Sequence, residues 1–174
     1  VCEFAGIPIP EWTEGYSLMP FLKGETEKVR DEVFGEITYH ASYEPERCIR
    51  TERYKLIRRF DYHENIVPAN IDESLSKDFE MEAGLLRGIH EREELYDLWL
   101  DSVERINLIG NPAYKDIYDD LSARLHSWME KTDDPLCHYR YRVPKPRNAR
   151  VNKLTCMNPR LEDFEAPESS DYDY

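Results

Sequence analysis

Polar and apolar residues alternate most plainly along Arg47-Cys-Ile-Arg-Thr-Glu-Arg-Tyr-Lys-Leu-Ile-Arg-Arg-Phe60. A period of two is the pattern of a half-buried strand, because successive side chains leave a strand on opposite faces. The stretch therefore predicts a hairpin turning at Thr51-Glu52, with Tyr54 and Leu56 on one face and Arg53 and Lys55 on the other. Ile57 interrupts that alternation. Upstream, Val33-Phe-Gly-Glu-Ile-Thr-Tyr39 reads as another strand, with Val33, Ile37 and Tyr39 on one side. Downstream, Glu94-Leu-Tyr-Asp-Leu98 is short enough to pair beside the hairpin. Residues 61–92 are too many for a turn and read as an insertion. Its one expected helix covers residues 73–87, capped by Asp72, with Leu75, Phe79, Leu85 and Leu86 as a loose apolar stripe.

The period changes near the end of the pattern. From Ala113 to about Lys131, the residues Tyr114, Ile117, Tyr118, Leu121, Leu125, Trp128 and Met129 recur at steps of three and four. That spacing gives one continuous apolar face on a helix. Its acids Asp116, Asp119 and Asp120 fall early, with Arg124 and Lys131 late, which suits the helix dipole. Ser122 is expected to face water. Before the first strand, Ala5-Gly-Ile-Pro-Ile-Pro10 is a proline-punctuated connector. A short helix over residues 18–22 follows, capped by Ser17 and ended near Gly24. The fold expected is α+β: a small four-stranded antiparallel sheet packed against a long C-terminal amphipathic helix. The expected organisation is a connector and short helix over residues 1–24, a subdomain over 25–135 and an irregular charged tail over 136–174. The opening Val1-Cys-Glu-Phe-Ala reads as the end of an element already under way, so a piece of a longer protein is expected.

Charge narrows the partners. The 174 residues carry a formal net charge of −13, which opposes sequence-independent binding to nucleic acid. No apolar run approaches the roughly 18 residues of a spanning helix. In the tail, a basic block (Arg140, Arg142, Lys145, Arg147, Arg150, Lys153) precedes an acidic one (Glu162, Asp163, Glu165, Glu168, Asp171, Asp173). Opposed blocks of this kind predict a solvated tail, or a basic arm for an anionic partner.

Candidate chemistry is sparse. There is no glycine-rich phosphate loop, no Gly-x-Ser-x-Gly elbow, no His-Glu-x-x-His and no Cys-x-x-Cys. The five histidines are scattered. Among them His40 draws interest because it ends a strand, where loops gather into sites. Cys48 suits a small buried residue. Cys137 and Cys156 bracket an irregular segment that a disulfide would constrain in an oxidising compartment.

The order of segments resembles type I sulfatases. Ala-Gly-Ile-Pro-Ile-Pro and Gly15-Tyr-Ser-Leu-Met-Pro-Phe-Leu-Lys-Gly-Glu25 resemble the junction before that family's C-terminal subdomain. Ile49-Arg-Thr-Glu-Arg-Tyr-Lys-Leu-Ile57 resembles its strand pair. Glu94-Leu-Tyr-Asp97, Ile106-Asn-Leu-Ile-Gly-Asn-Pro112 and the long helix resemble its close. Glu36-Ile-Thr-Tyr39, the long insertion, Thr132-Asp-Asp-Pro135 and Cys137 are similar to the sulfamidase branch, and Cys156 fits a family bridge in kind. The resemblance implies a sulfuric ester or sulfamate hydrolase with a formylglycine nucleophile and Ca²⁺, both in an N-terminal catalytic domain that would be this segment's partner. It favours a secreted, periplasmic or lysosomal setting. Cys156-Met-Asn-Pro-Arg160 only approaches the formylglycine motif, with its proline one position late. On this reading the chain forms one wall of a cleft for sulfated saccharide. Arg47 would pair with sulfate or carboxylate, and His40 and Tyr43 with sugar hydroxyls; the alternative for Arg47 is an ion pair with Glu44 or Glu46. A free-standing sulfatase-like binding module is the alternative function.

Overall fold

The computed structural model describes residues 1–139 and 142–166. Two compact units divide it, Val1–Val33 and Phe34–Tyr174. The first carries two short helices, α1 (Cys2–Ala5) and α2 (Met19–Leu22). Ser17 Oγ accepts from the Met19 N–H at 3.2 Å, and Gly24 turns into the left-handed region at φ 72° after α2, as a helix stop requires. Phe4, Ile7, Ile9, Trp12, Tyr16, Leu18, Phe21 and Leu22 are exposed.

The strands are β1 (Glu32–Tyr39), β2 (Tyr43–Thr51), β3 (Tyr54–Arg59) and β4 (Glu93–Asp97), in the order β1-β2-β3-β4. The hairpin forms, with its turn at Glu52 and Arg53, one residue later than the alternation suggested. Arg50 pairs with Lys55 and Ile49 with Leu56, and Leu56 continues to Leu95. Ile49, Leu56 and Leu95 thus form one row across three strands on the face that meets the long helix. That row, with Leu121, Leu125 and Met129, is the buried core.

The insertion between β3 and β4 carries α3 (Leu75–Ala83), capped by Ser74 rather than Asp72. Its expected apolar stripe is not buried: Leu75 is 88% exposed and Phe79 68%. Helical geometry gives the reason. Lys77 lies about 200° around the axis from either neighbour two residues away, and Lys77 is the residue turned inward, 5% exposed. Its Nζ donates to Ile71 O at 3.0 Å and Met157 O at 2.7 Å, and pairs with Glu73.

The long helix α4 (Lys115–Lys131) follows a single turn at Pro112–Tyr114, started by Asn111 Oδ1 accepting from Ala113 N–H. Every member of the expected stripe packs in or against the core. Leu121, mid-stripe, is 2% exposed. Ser122 differs from expectation. Its Oγ accepts from Arg58 Nη2 at 2.7 Å, so it is tied to the sheet rather than solvated. In β1 it is Phe34 that packs toward the core, stacked on Trp128 with ring centroids 4.8 Å apart, whereas Val33 is exposed. Gly35 is held small from the other side, because a Cβ there would stand 2.9 Å from Cys48 Sγ. The outer edge of β4 is closed by Asn107, whose Oδ1 accepts from Leu95 N–H and whose Nδ2 donates to Glu93 O. An edge occupied in this way cannot pair with another strand.

Beyond α4 the charge blocks are not loose. Arg142 pairs with Glu165 at 2.6 Å and Lys153 with Asp163 at 2.6 Å, while Asn152 and Phe164 form an antiparallel bridge. Two bases of the first block thus meet two acids of the second, and Val151, Asn152 and Cys156 are buried. Of the charged tail residues named above, Arg140, Glu168, Asp171 and Asp173 lie outside the described residues. Among the described residues no helix is long and apolar enough to cross a membrane.

Candidate functional site

Three neighbouring places in the second unit hold the residues singled out by sequence. The first surrounds Arg47, which β2 points toward the α4 side of the sheet. Its side chain is 1% exposed and its partner Asp134 is buried as well. Nε donates to Asp134 Oδ2 at 2.5 Å and Nη2 to Asp134 Oδ1 at 3.0 Å. Nη2 also reaches Thr38 Oγ1 at 3.0 Å, and Nη1 reaches Ile37 O at 2.6 Å and Glu46 O at 2.8 Å. A guanidinium has five N–H donors, and these contacts use them all. The ion-pair alternative also takes a different partner: Glu44 and Glu46 face Arg59, with Glu46 Oε1 2.6 Å from Nη2. The long sequence separation of Arg47 from Asp134 hid the pair, and the only trace was an aspartate before Pro135.

The second place is the turn joining β1 to β2. His40 is exposed there, with its N–H donating to Ser42 O at 3.1 Å. Tyr43 is 5% exposed. Its hydroxyl accepts from Val143 N–H at 3.3 Å, its ring lies 4.9 Å from Tyr39 and the Arg142 guanidinium sits 4.6 Å above it. Burial raises the hydroxyls of both Tyr39 and Tyr43 above their ordinary range. The tail braces this turn from outside, with Asn152 N–H donating to Ala41 O at 2.8 Å and Tyr39 Oη to Val143 O at 2.7 Å. Arg47, His40 and Tyr43 are therefore close in sequence but are not gathered at one surface. Only His40 presents its side chain to solvent.

The third place lies on the sheet face away from α4. Glu44, Glu46 and His90 offer ligand atoms within 4.8 Å of one another, the sole such grouping among the described residues. Burial raises the Glu46 carboxyl to about 7, against the opposing pull of Arg59, with Glu44, Glu94 and Asp61 adding to the rise. Burial also lowers the His90 imidazole to about 4, helped by Arg59 and His63. Sequence reading missed this cluster because His90 reaches it only through the fold of the insertion.

The cysteines are not joined. All four are free thiols, with Cys137 exposed and Cys156 buried. Cys156 Sγ donates to Asn158 O at 3.2 Å and receives Asn152 Nδ2 at 3.5 Å. The bridge expected between Cys137 and Cys156 is thus absent, since the buried thiol is already engaged within its own loop. The Glu44–Glu46–His90 set, containing an imidazole and bordered by Arg59, differs from the oxygen-rich shell that Ca²⁺ takes.

A four-stranded antiparallel sheet crossed on one face by a single long helix defines the chain as an α+β subdomain. Similar proteins place that subdomain. No family model matches the sequence. An ulvan-active sulfatase of Formosa agariphila is 35% identical over 94% of this chain and 34% of its own length. A Δ4,5-hexuronate-2-O-sulfatase of Bacteroides thetaiotaomicron is 28% identical over 77% of this chain and 23% of its own. The solved structure of a 2-O GAG sulfatase superposes with a TM-score of 0.56 at 24% identity, over 98% of this chain and 30% of that one; it shows the fold. The chain is thus similar to sulfatases, and it spans 34% and 23% of the length of these two curated relatives.

Proposed function

We propose that this chain is the C-terminal subdomain of a hydrolase that removes sulfate from a sulfated polysaccharide, and that it forms part of the cleft wall without supplying the bond-breaking groups. The observation that carries the reading is the 35% identity with an ulvan-active sulfatase across 94% of the chain. The sheet-and-helix core explains why such a piece is retained as a unit: its apolar row is closed by its own helix. Formylglycine and Ca²⁺ belong, on this reading, to the catalytic domain, and no step of the reaction is assigned to residues of this chain.

His40 is the residue proposed to meet the saccharide. It is exposed on a turn held from both sides, by Ser42 within the hairpin and by the tail strand at Asn152. With the backbone of the turn held, an exposed imidazole on it can bond a sugar hydroxyl with little further ordering of the chain. Tyr43 supports that turn from below, and Arg47 holds the sheet to the end of α4; neither has a free polar group to offer. Names of the relatives favour sulfate esters over sulfamates. Sulfate release from sulfated oligosaccharides and from an N-sulfated glucosamine tests this in the full-length protein. Ester cleavage is expected, and cleavage of the sulfamate alone would reverse the choice. The isolated chain is expected to release no sulfate from either.

A further inference from the structure

Every buried side-chain nitrogen or oxygen left without a hydrogen-bond partner among the described residues lies in or beside one cluster: Arg59 Nε, His63 Nε2 and His90 Nδ1. Buried polar atoms in folded proteins are nearly always paired, and an unpaired group asks for a ligand, an ion or a water. Two such atoms beside two carboxylates, with His63 near enough to act on the His90 imidazole, are the observation to be explained.

The carboxylates are already oriented. Asn70 Nδ2 holds Glu44 Oε2 at 2.8 Å, and Arg59 Nη2 holds Glu46 Oε1 at 2.6 Å. Each acid is thereby fixed through one oxygen. The free edge of Glu44, Oε1, lies 3.9 Å from His90 Nδ1 and 3.6 Å from Arg59 Nη1. Outer partners that fix a ligand through its second atom are the usual support of a metal centre. Asn70 is itself anchored, its Oδ1 accepting from Ser42 N–H at 2.8 Å. The Arg59 side chain is nine-tenths buried, with its Nε–H unpaired. That donor calls for an acceptor at the same spot, which a hydroxide ligand of a bound cation would supply.

We propose that Glu44, Glu46 and His90 bind a divalent transition cation of the zinc class. One imidazole nitrogen with two carboxylate oxygens is a borderline donor set, suited to Zn²⁺, Co²⁺ or Mn²⁺ and unlike the all-oxygen shells of Ca²⁺. The ligand atoms stand within 4.8 Å of one another. Bonds of about 2.0–2.2 Å to a tetrahedral ion need them about 3.4 Å apart, so the side chains would draw together by about an ångström on binding. The Arg59 charge is outweighed by Glu44 and Glu46, with Asp61 and Glu94 close enough to raise the Glu46 carboxyl. Three protein ligands leave the remaining positions to water. Because β2 carries Glu44 and Glu46 while His90 belongs to the insertion, a bound ion ties the insertion to the sheet.

The test is a Zn²⁺ titration of the chelator-stripped protein, with wild type compared to His90→Gln. Wild type is expected to take up one equivalent more than the variant, at an affinity at least tenfold higher. Surface pairs such as His126–Glu130 and His138–Asp133 are common to both proteins and cancel in the difference. Glu46→Gln is expected to lose the same equivalent, and Ca²⁺ uptake is expected not to distinguish the proteins. Equal Zn²⁺ uptake by wild type and His90→Gln overturns the proposal, as does a His90-dependent equivalent of Ca²⁺. Should His90→Gln fail to fold by circular dichroism, Co²⁺ loading of wild type decides. Visible d–d bands that are lost in Glu46→Gln support the site, and bands equal in the two proteins, or a spectrum of fully hydrated Co²⁺, refute it.

Discussion

Arg47 and Asp134 meet fork to fork, 87 positions apart in the chain, with both side chains buried and two nitrogens of one facing two oxygens of the other. The pair ties β2 to the turn that follows α4, because Asp134 Oδ1 also accepts the Leu136 N–H at 2.9 Å. Removing either partner strands the other charge in a dry interior. Arg47→Ala and Asp134→Ala are each expected to cost about 3–5 kcal/mol, read as a fall in the urea midpoint. An apolar double replacement, Arg47→Met with Asp134→Leu, removes the stranded charge but should recover only part of that loss, because Ile37 O, Glu46 O and the Leu136 N–H also lose their partners. A midpoint unchanged in Arg47→Ala would place the guanidinium in solvent.

Leu121 sits on the core row beneath Ile49, Leu56 and Leu95. Leu121→Ala leaves a cavity and is expected to cost about 2–5 kcal/mol, checked by thermal or urea unfolding. A loss below about 1 kcal/mol would mean that α4 does not close the sheet as described.

Ser122 provides a finer measure. Arg58 Nη2 donates to its hydroxyl while Arg58 Nε pairs with Glu93 at 2.6 Å, and the Tyr118 hydroxyl donates to the same Glu93. Ser122→Ala removes one member of this half-buried network. The expected cost is about 0.5–1.5 kcal/mol, against none for a solvated serine. A double-mutant cycle with Arg58→Ala should show coupling of the same order.

The strands and the long helix were legible because each carries one period over enough residues. Leu56 and Leu121 could be placed from spacing alone. What could not be placed were contacts made by charged residues across long separations. Arg47 looked like a surface arginine because arginine on a strand normally is one. Only the fold shows that Asp134 arrives beside it. The same holds for Lys77, whose buried ammonium reverses the apparent apolar face of α3. In the tail, composition suggested solvation because each charge block repels itself; the fold relieves part of that repulsion by pairing Arg142 with Glu165 and Lys153 with Asp163.

Asp97 supplies a pH dependence. Its carboxylate receives Arg53 Nη2 at 2.7 Å and the Trp99 N–H at 3.2 Å. The hydrogen bond from Arg53 is the main cause holding its pKa below the ordinary carboxylate value. A carboxyl with a depressed folded-state pKa stabilises the fold above its unfolded value, and the contribution is lost as pH falls through the folded one. Stability should therefore drop on acidification below the usual aspartate range. Asp97→Asn should flatten that part of the profile while lowering stability at neutral pH. An identical acid limb in the variant would show that Asp97 is not the group responsible.

The most direct test of the division of labour between His40 and Arg47 is a paired measurement on the full-length protein, KM for a sulfated oligosaccharide together with Tm. His40→Ala should raise KM several-fold and leave Tm within a degree or so, because the side chain is exposed and is the one proposed to meet saccharide. Arg47→Ala should lower Tm by several degrees, while the enzyme that remains folded keeps its KM. The opposite pattern, an unchanged KM in His40→Ala with a raised KM and unchanged Tm in Arg47→Ala, would contradict the account.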